Sequence, residues 1–105
     1  MGLRLRSSRQ TFAILTALLA RPSQWSHGYA LSQQTSLASG TLYPILMRLD
    51  KLGWLETRWE EEPAAGRPPR HLYRLTADGR EWAREELRAA RETRFWSHAA
   101  SEVGR

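Results

Sequence analysis

At 105 residues the chain has room for one compact domain, and a unit of this size buries only about two thirds of the surface its unfolded form exposes, so burial against a partner chain would add stability. It has no cysteine, which excludes a disulfide framework, a thiolate zinc site and a cysteine nucleophile and is compatible with a reducing compartment. The formal charge of +5 is concentrated in residues 1–58, where Arg4, Arg6, Arg9, Arg21, Arg48, Lys51 and Arg58 face only Asp50 and Glu56; the rest of the chain is balanced. That asymmetry is expected if the N-terminal half faces a polyanion, although a basic solvated surface has the same composition.

The start, "LRLRSSRQ" followed by "TFAILTALLA", imitates the basic and apolar regions of a signal peptide. The apolar run stops after about ten residues, too short to span a bilayer. Cleavage behind it would remove core that a short chain could hardly replace. The spacing of Phe12, Leu15, Leu18 and Leu19 predicts instead a core-facing helix over residues 9–20, with Pro22 just beyond its end.

After "RPSQWS" a short helix is expected over roughly residues 27–34, then the connector "TSLAS", then a third helix. In the third, Leu42, Ile45, Leu46, Leu49 and Leu52 recur at helical spacing, with Thr41, Pro44, Arg48 and Lys51 on the other side. Ser39 or Thr41 can cap its first turn, Pro44 is tolerated near the start, and Gly53 ends it. The runs "WLETRWE" and "HLYRLT" read as strands around the Pro- and Gly-bearing "EEPAAGRPPR", a β-hairpin with a stiff tip. A last helix is expected over residues 77–100, with Thr76 as its N-cap and Asp78 in its first turn. Repeats and long low-complexity tracts are absent from the sequence.

Helix, helix, short turn, helix and hairpin make a winged helix-turn-helix: a mostly α fold with a small β-hairpin, DNA-binding over residues 9–76 and followed by a dimerisation helix over residues 77–100. In that arrangement the third helix enters the major groove N-terminus first, and its first turn needs hydroxyls, exposed amides and little bulk. Ser39, Gly40, Thr41 and Tyr43 meet the need, with the Thr41 and Tyr43 hydroxyls expected to face the groove and not the core. Taken alone, Ser-Gly-Thr could equally be a capped turn and Tyr43 a surface aromatic. Arg48 and Lys51 can neutralise phosphates or reach a guanine edge, or be a solvated helix face. Arg67 and Arg70 can enter a minor groove, or belong to an exposed loop, and Glu60, Glu61 and Glu62 should point away from DNA.

His27, His71 and His98 share no ligand spacing, so neither a metal nor a cofactor is expected. The sequence carries no Gly-rich phosphate loop, nucleophile elbow or paired-carboxylate arrangement, and an enzyme is not expected. The last helix carries Trp82, Leu87, Ala90, Phe95 and Trp96 among alternating charges. Pairing with the first and last helices of a second copy would cover that stripe isologously. Trp82 and Trp96 could instead line a slot for a planar aromatic effector at the same interface.

The segments "HGYAL", "SGTLYPILMRLDKLGWLE" and "GRPPRHLYRLTADGR", in this order, resemble the PadR family of bacterial winged-helix transcriptional regulators over roughly residues 9–90. The resemblance implies a homodimeric repressor of double-stranded DNA, in the bacterial cytoplasm and not in a membrane, whose last helix supplies the dimer contact. It puts Ser39, Gly40, Thr41, Tyr43 and Pro44 at the start of the recognition helix, Tyr29 in the preceding helix near the DNA backbone, and Arg67 and Arg70 on the wing. One C-terminal helix resembles the small subclass, and Pro68-Pro69 stand where many members carry further basic residues. The expected function is therefore sequence-specific regulation through an inverted repeat, with release by a small aromatic effector. The alternative is a winged-helix protein-interaction module without specific DNA binding.

Overall fold

A computed structural model of the chain describes the backbone of residues 8–103 and the side chains of residues 8–93. In chain order it runs α1 (Arg9–Ala20), β1 (Ser26–His27), α2 (Gly28–Thr35), α3 (Ser39–Lys51), β2 (Leu55–Trp59), β3 (His71–Leu75) and α4 (Ala77–Val103). The expected helices and hairpin are present, and the molecule is a mostly helical winged helix. One strand was not foreseen. β1 adds to the hairpin to give an antiparallel sheet of order β1-β3-β2, with Ser26 and Thr57 on either side of Tyr73. Two residues carry no readable alternation, so only the ladder partners define β1.

α1 starts where the Ser8 hydroxyl accepts the Thr11 amide at 3.1 Å. Between α2 and α3 the chain reverses through Ser36, at a left-handed φ of 61°. A side chain there is disfavoured by roughly 1 kcal/mol, and local bonds offset it. The Ser32 hydroxyl donates to the Leu37 carbonyl at 2.7 Å, and the Thr35 hydroxyl accepts the Leu37 amide at 3.3 Å.

α3 begins without the expected cap. Its N-cap is Ala38, with no side-chain cap bond, and the Ala38 carbonyl accepts the Thr41 and Leu42 amides at 3.0 and 2.9 Å. Ala38 is the last extended residue, so Ser39 and Thr41 already lie inside the helix and cannot cap it. The other end is as expected. Gly53, at φ 82°, donates to the Asp50 carbonyl while Trp54 donates to that of Leu49, a paired reversal that needs a left-handed residue.

Every layer contributes to one core: Ile14, Leu15 and Leu18 of α1, Leu31 of α2, Leu42, Ile45, Leu46 and Leu49 of α3, Leu55, Tyr73 and Leu75 of the sheet, and Ala83 of α4. Each fully buried leucine contributes about 1.5–3 kcal/mol. Leu52, expected on the same stripe, is exposed because it is the residue on which the chain leaves α3.

Thr76 caps α4 as expected, accepting the Gly79 amide at 2.9 Å, and its hydroxyl also reaches the Gly53 carbonyl at 3.1 Å. The Trp54 carbonyl lies where a Cβ on Gly79 would be, so α4 crosses the turn after α3 at backbone contact. Trp82 then stacks on Trp54, centroids 3.8 Å apart and planes 16° apart. Trp82, expected at a dimer or effector surface, is half-buried with its ring stacked on Trp54 of its own chain. A 27-residue helix is about 40 Å long, against 29 and 23 Å for the short dimensions of the molecule, so its distal part runs beyond the winged core. The side chains of Phe95 and Trp96 lie outside the described residues.

Candidate nucleic-acid interface

Burying Leu42, Ile45, Leu46 and Leu49 turns the opposite side of α3 outward, where Ser39, Gly40, Thr41, Pro44, Arg48 and Lys51 are all exposed. A Cβ at Gly40 would meet nothing within 4 Å, which leaves the first turn open to close approach. Among the described residues neither Arg48 nor Lys51 has an acidic partner, so both charges face solvent.

Tyr43 differs from expectation. Its hydroxyl is not free in the groove; it rests against Gly28 at the start of α2, where a Cβ would overlap it. Part of the ring remains accessible and borders a crevice of about 210 Å³ with Tyr29, Arg70 and His71. Tyr29 itself is exposed and lies parallel to the His27 ring at 6.4 Å. A second cavity, of about 270 Å³, separates α3 from the sheet and is lined by Tyr43, Met47, Asp50, Thr57, His71 and Tyr73. Burial, together with the nearby Tyr43 and Asp50, raises the pKa of the Tyr73 phenol, so it stays protonated and hydrogen-bonds His71 Nδ1 at 3.2 Å.

The wing tip turns at Gly66, φ 78°, where the Arg67 amide donates to the Ala64 carbonyl at 3.1 Å. The Arg67 guanidinium holds both oxygens of Glu60, at 2.9 and 3.3 Å, and the Arg70 amide donates to the same carboxylate at 3.3 Å. Glu60 is thus the anchor of both expected wing arginines. The Arg67 bond pulls its carboxyl below the ordinary carboxylate range.

Arg70 reaches back to α2, its guanidinium 2.9 Å from His27 Nε2. His27 also caps α2, accepting the Ala30 amide through Nδ1 at 3.2 Å. In the neutral ring that cap leaves the proton on Nε2, facing another donor, so a second proton would have to displace the cap. Burial first, then the Arg70 charge, lowers the His27 pKa, with Arg67 acting the same way and Glu60 opposing.

Two further arginines are engaged within the chain. Arg58 and Arg74 lie 4.5 and 4.2 Å from the ring centre of Trp25, and Arg74 also pairs with Glu56 at 3.2 Å. A separate groove of about 660 Å³ runs between α1 and α4, lined by Phe12, Ala13 and Ala17 on one side and Leu87, Ala90 and Arg91 on the other, with Arg9 and Thr35 at its margin.

A model of the transcriptional regulator PadR-like family matches residues 14–85, which include the helix-turn-helix, the wing and the start of α4. The chain belongs to this family. The PadR-like assignment makes it a transcriptional regulator of a DNA-binding class and not an enzyme. Solved structures agree. A PadR-like transcription factor from Bacteroides fragilis is 26% identical with a TM-score of 0.62, over 91% of this chain and 90% of that one. A PadR family regulator from Eggerthella lenta is 30% identical with a TM-score of 0.58, over 90% of this chain and 80% of that one. NadR, in complex with 4-hydroxyphenylacetate, is 25% identical with a TM-score of 0.61, over 91% of this chain and 62% of that one. No protein of curated function matches the sequence. Among the described residues no helix is long and apolar enough to cross a membrane.

The PadR-like fold brings Tyr29, Tyr43 and Arg70 to one crevice and leaves Arg48 and Lys51 on the outer side of α3. It also gives Met47, Trp59, His27 and Glu60 places that sequence reasoning did not assign. Met47 was within reach, three residues after Pro44 and four after Tyr43 on the same stripe. The roles of Glu60 and His27 were not, because their partners lie 7 to 43 residues away.

Proposed function

We propose that this PadR-like regulator is a repressor that binds an inverted repeat as a homodimer, reading bases with the first turns of α3 and holding phosphates with Tyr29, Arg67 and Arg70. The observation that carries the reading is the outer side of α3. A helix anchored by four buried residues presents Ser39, Gly40 and Thr41 without a side-chain cap, followed by unpaired Arg48 and Lys51. Small residues and free amides suit close approach to DNA, and arginine is the commonest guanine reader.

The α1–α4 groove supports the dimer, because Phe12, Leu87 and Ala90 leave an open apolar lining between the two helices that a second copy can fill. A two-fold pairing there sets two recognition helices about 34 Å apart for successive major grooves. Release by a planar aromatic acid fits the same region, whose lining includes Arg9 and Arg91; the neighbour NadR is in complex with 4-hydroxyphenylacetate. Such a ligand acts only through different affinity for the DNA-bound and free dimer geometries.

The test is selection of duplexes from a random library by the full chain, followed by affinity measurement from low to high salt. Enrichment of an inverted repeat, with log affinity falling linearly in log salt, is expected. A chain that enriches no sequence would be a protein-interaction module instead.

A further inference from the structure

Among the described residues the large apolar side chains that stand exposed are Tyr29, Tyr43, Met47, Leu52 and Trp59. Four of these five border the surface between α2, α3 and the wing: Tyr29, Tyr43 and Met47 line its two cavities, and Trp59 stacks on His71 at 4.6 Å. A single exposed apolar residue is ordinary, whereas a cluster on one side of a chain marks contact.

Within the cluster Met47 stands apart. Tyr43 is committed inward to Gly28, and Trp59 is committed to His71. Met47 is 61% exposed in the middle of α3, between Pro44 and Arg48 on the outward stripe. Its thioether has no proton to donate to a phosphate or a base acceptor and is only a weak acceptor. A long, unbranched, polarizable side chain instead gains by covering apolar surface, and the apolar group on a major-groove base edge is the C5-methyl of thymine. Asp50, which shares the cavity lining, would repel phosphate, which favours base edges over backbone at this part of the helix.

We propose that Met47 is a specificity-determining residue that selects a thymine in each half-site by covering its 5-methyl group, an inference that rests on the DNA-binding reading above. The contact carries no hydrogen bond and no charge, so it changes sequence preference without changing the salt dependence.

The test uses the duplex selected by the full chain. Each thymine is replaced in turn by deoxyuridine, which removes the 5-methyl and keeps the pairing, and affinity is measured by fluorescence anisotropy for the wild type, Met47→Ala and Met47→Leu. At one position per half-site the wild type is expected to lose about threefold to fivefold, the equivalent of one buried methyl. Met47→Ala should bind the thymine duplex weaker by a similar factor and no longer distinguish thymine from deoxyuridine there, while Met47→Leu retains most of the discrimination. Thermal melts of both variants check that this exposed position leaves the fold intact. Equal deoxyuridine penalties in wild type and Met47→Ala at every position, or no sensitive thymine at all, would overturn the assignment. Full operator affinity in Met47→Ala would overturn it too and leave the exposed thioether to a protein partner. A wild type that selects no duplex would instead strike the DNA-binding reading itself, so the two failures are distinguishable.

Discussion

The hydroxyl of Tyr43 rests against Gly28, in the space that a Cβ at position 28 would occupy. This contact ties the first residue of α2 to the first turns of α3. Gly28 is required for close approach and not for an unusual backbone angle. In an open helix Gly→Ala stabilises, by up to about 1 kcal/mol. Here Gly28→Ala is expected to destabilise by about 1–3 kcal/mol in urea unfolding, because the ring must shift. Tyr43→Phe in the Gly28→Ala background should recover part of the loss. Since the hydroxyl lies against Gly28, Tyr43→Phe alone should reduce operator affinity less than Thr41→Ala does.

The Trp54–Trp82 stack joins the end of α3 to α4. A double-mutant cycle with leucine at each position should give a coupling of about 0.5–1.5 kcal/mol, the range for aromatic pairs beyond their area burial. Additive losses would mean that the two indoles merely share a neighbourhood.

Truncating the chain before Trp82 would also remove Ala83, which is fully buried in the core, so the truncated chain should unfold and not simply dissociate. A cleaner probe of the dimer is Ala13→Glu combined with Ala90→Glu, since both residues line the groove and neither belongs to the core. Sedimentation is expected to report a folded monomer with weak operator affinity, because two buried carboxylates would oppose pairing in the α1–α4 groove. A dimer that survives both substitutions would move the interface elsewhere.

On the wing, Glu60 competes with a phosphate for the Arg67 guanidinium, holding it through both carboxylate oxygens. Arg67→Ala should weaken binding to all sequences alike and reduce the slope of log affinity against log salt by about 0.9. Glu60→Gln should do the reverse and raise affinity for random duplexes. If neither variant alters binding at low salt, the wing does not touch DNA.

Stability should fall on acidification in two stages. His27 has a lowered pKa in the folded chain, so its contribution is complete above the unfolded value near 6.5 and is lost as pH falls through the folded one. Protonation displaces the Ala30 cap and puts a cation beside Arg70 and Arg67, with only Glu60 to compensate. Glu60 is lowered by Arg67, so its contribution is complete above about 4.5 and disappears at more acid pH. Urea midpoints measured from pH 8 to pH 4 should show the first stage in the wild type and not in His27→Asn, which keeps a capping acceptor without a titrating group.

Periodicity and turn chemistry determined most of the architecture on their own. The α3 leucines report their burial through spacing alone, Gly53 and Thr76 report helix ends through local backbone requirements, and the Pro-Gly tip separates the two strands of the wing. The outer face of α3 follows from the same spacing, since whatever side is not apolar must face out. What spacing cannot carry is the identity of partners distant in the chain. Only tertiary packing decided that the Tyr43 hydroxyl meets Gly28, that Trp82 meets Trp54, that Glu60 holds Arg67 and that Arg70 lies against His27. These contacts depend on the crossing of α2, α3 and α4 against the sheet. Burial sets how often an apolar residue recurs along one element, but the angle between elements sets which side chains meet, and no single segment encodes it.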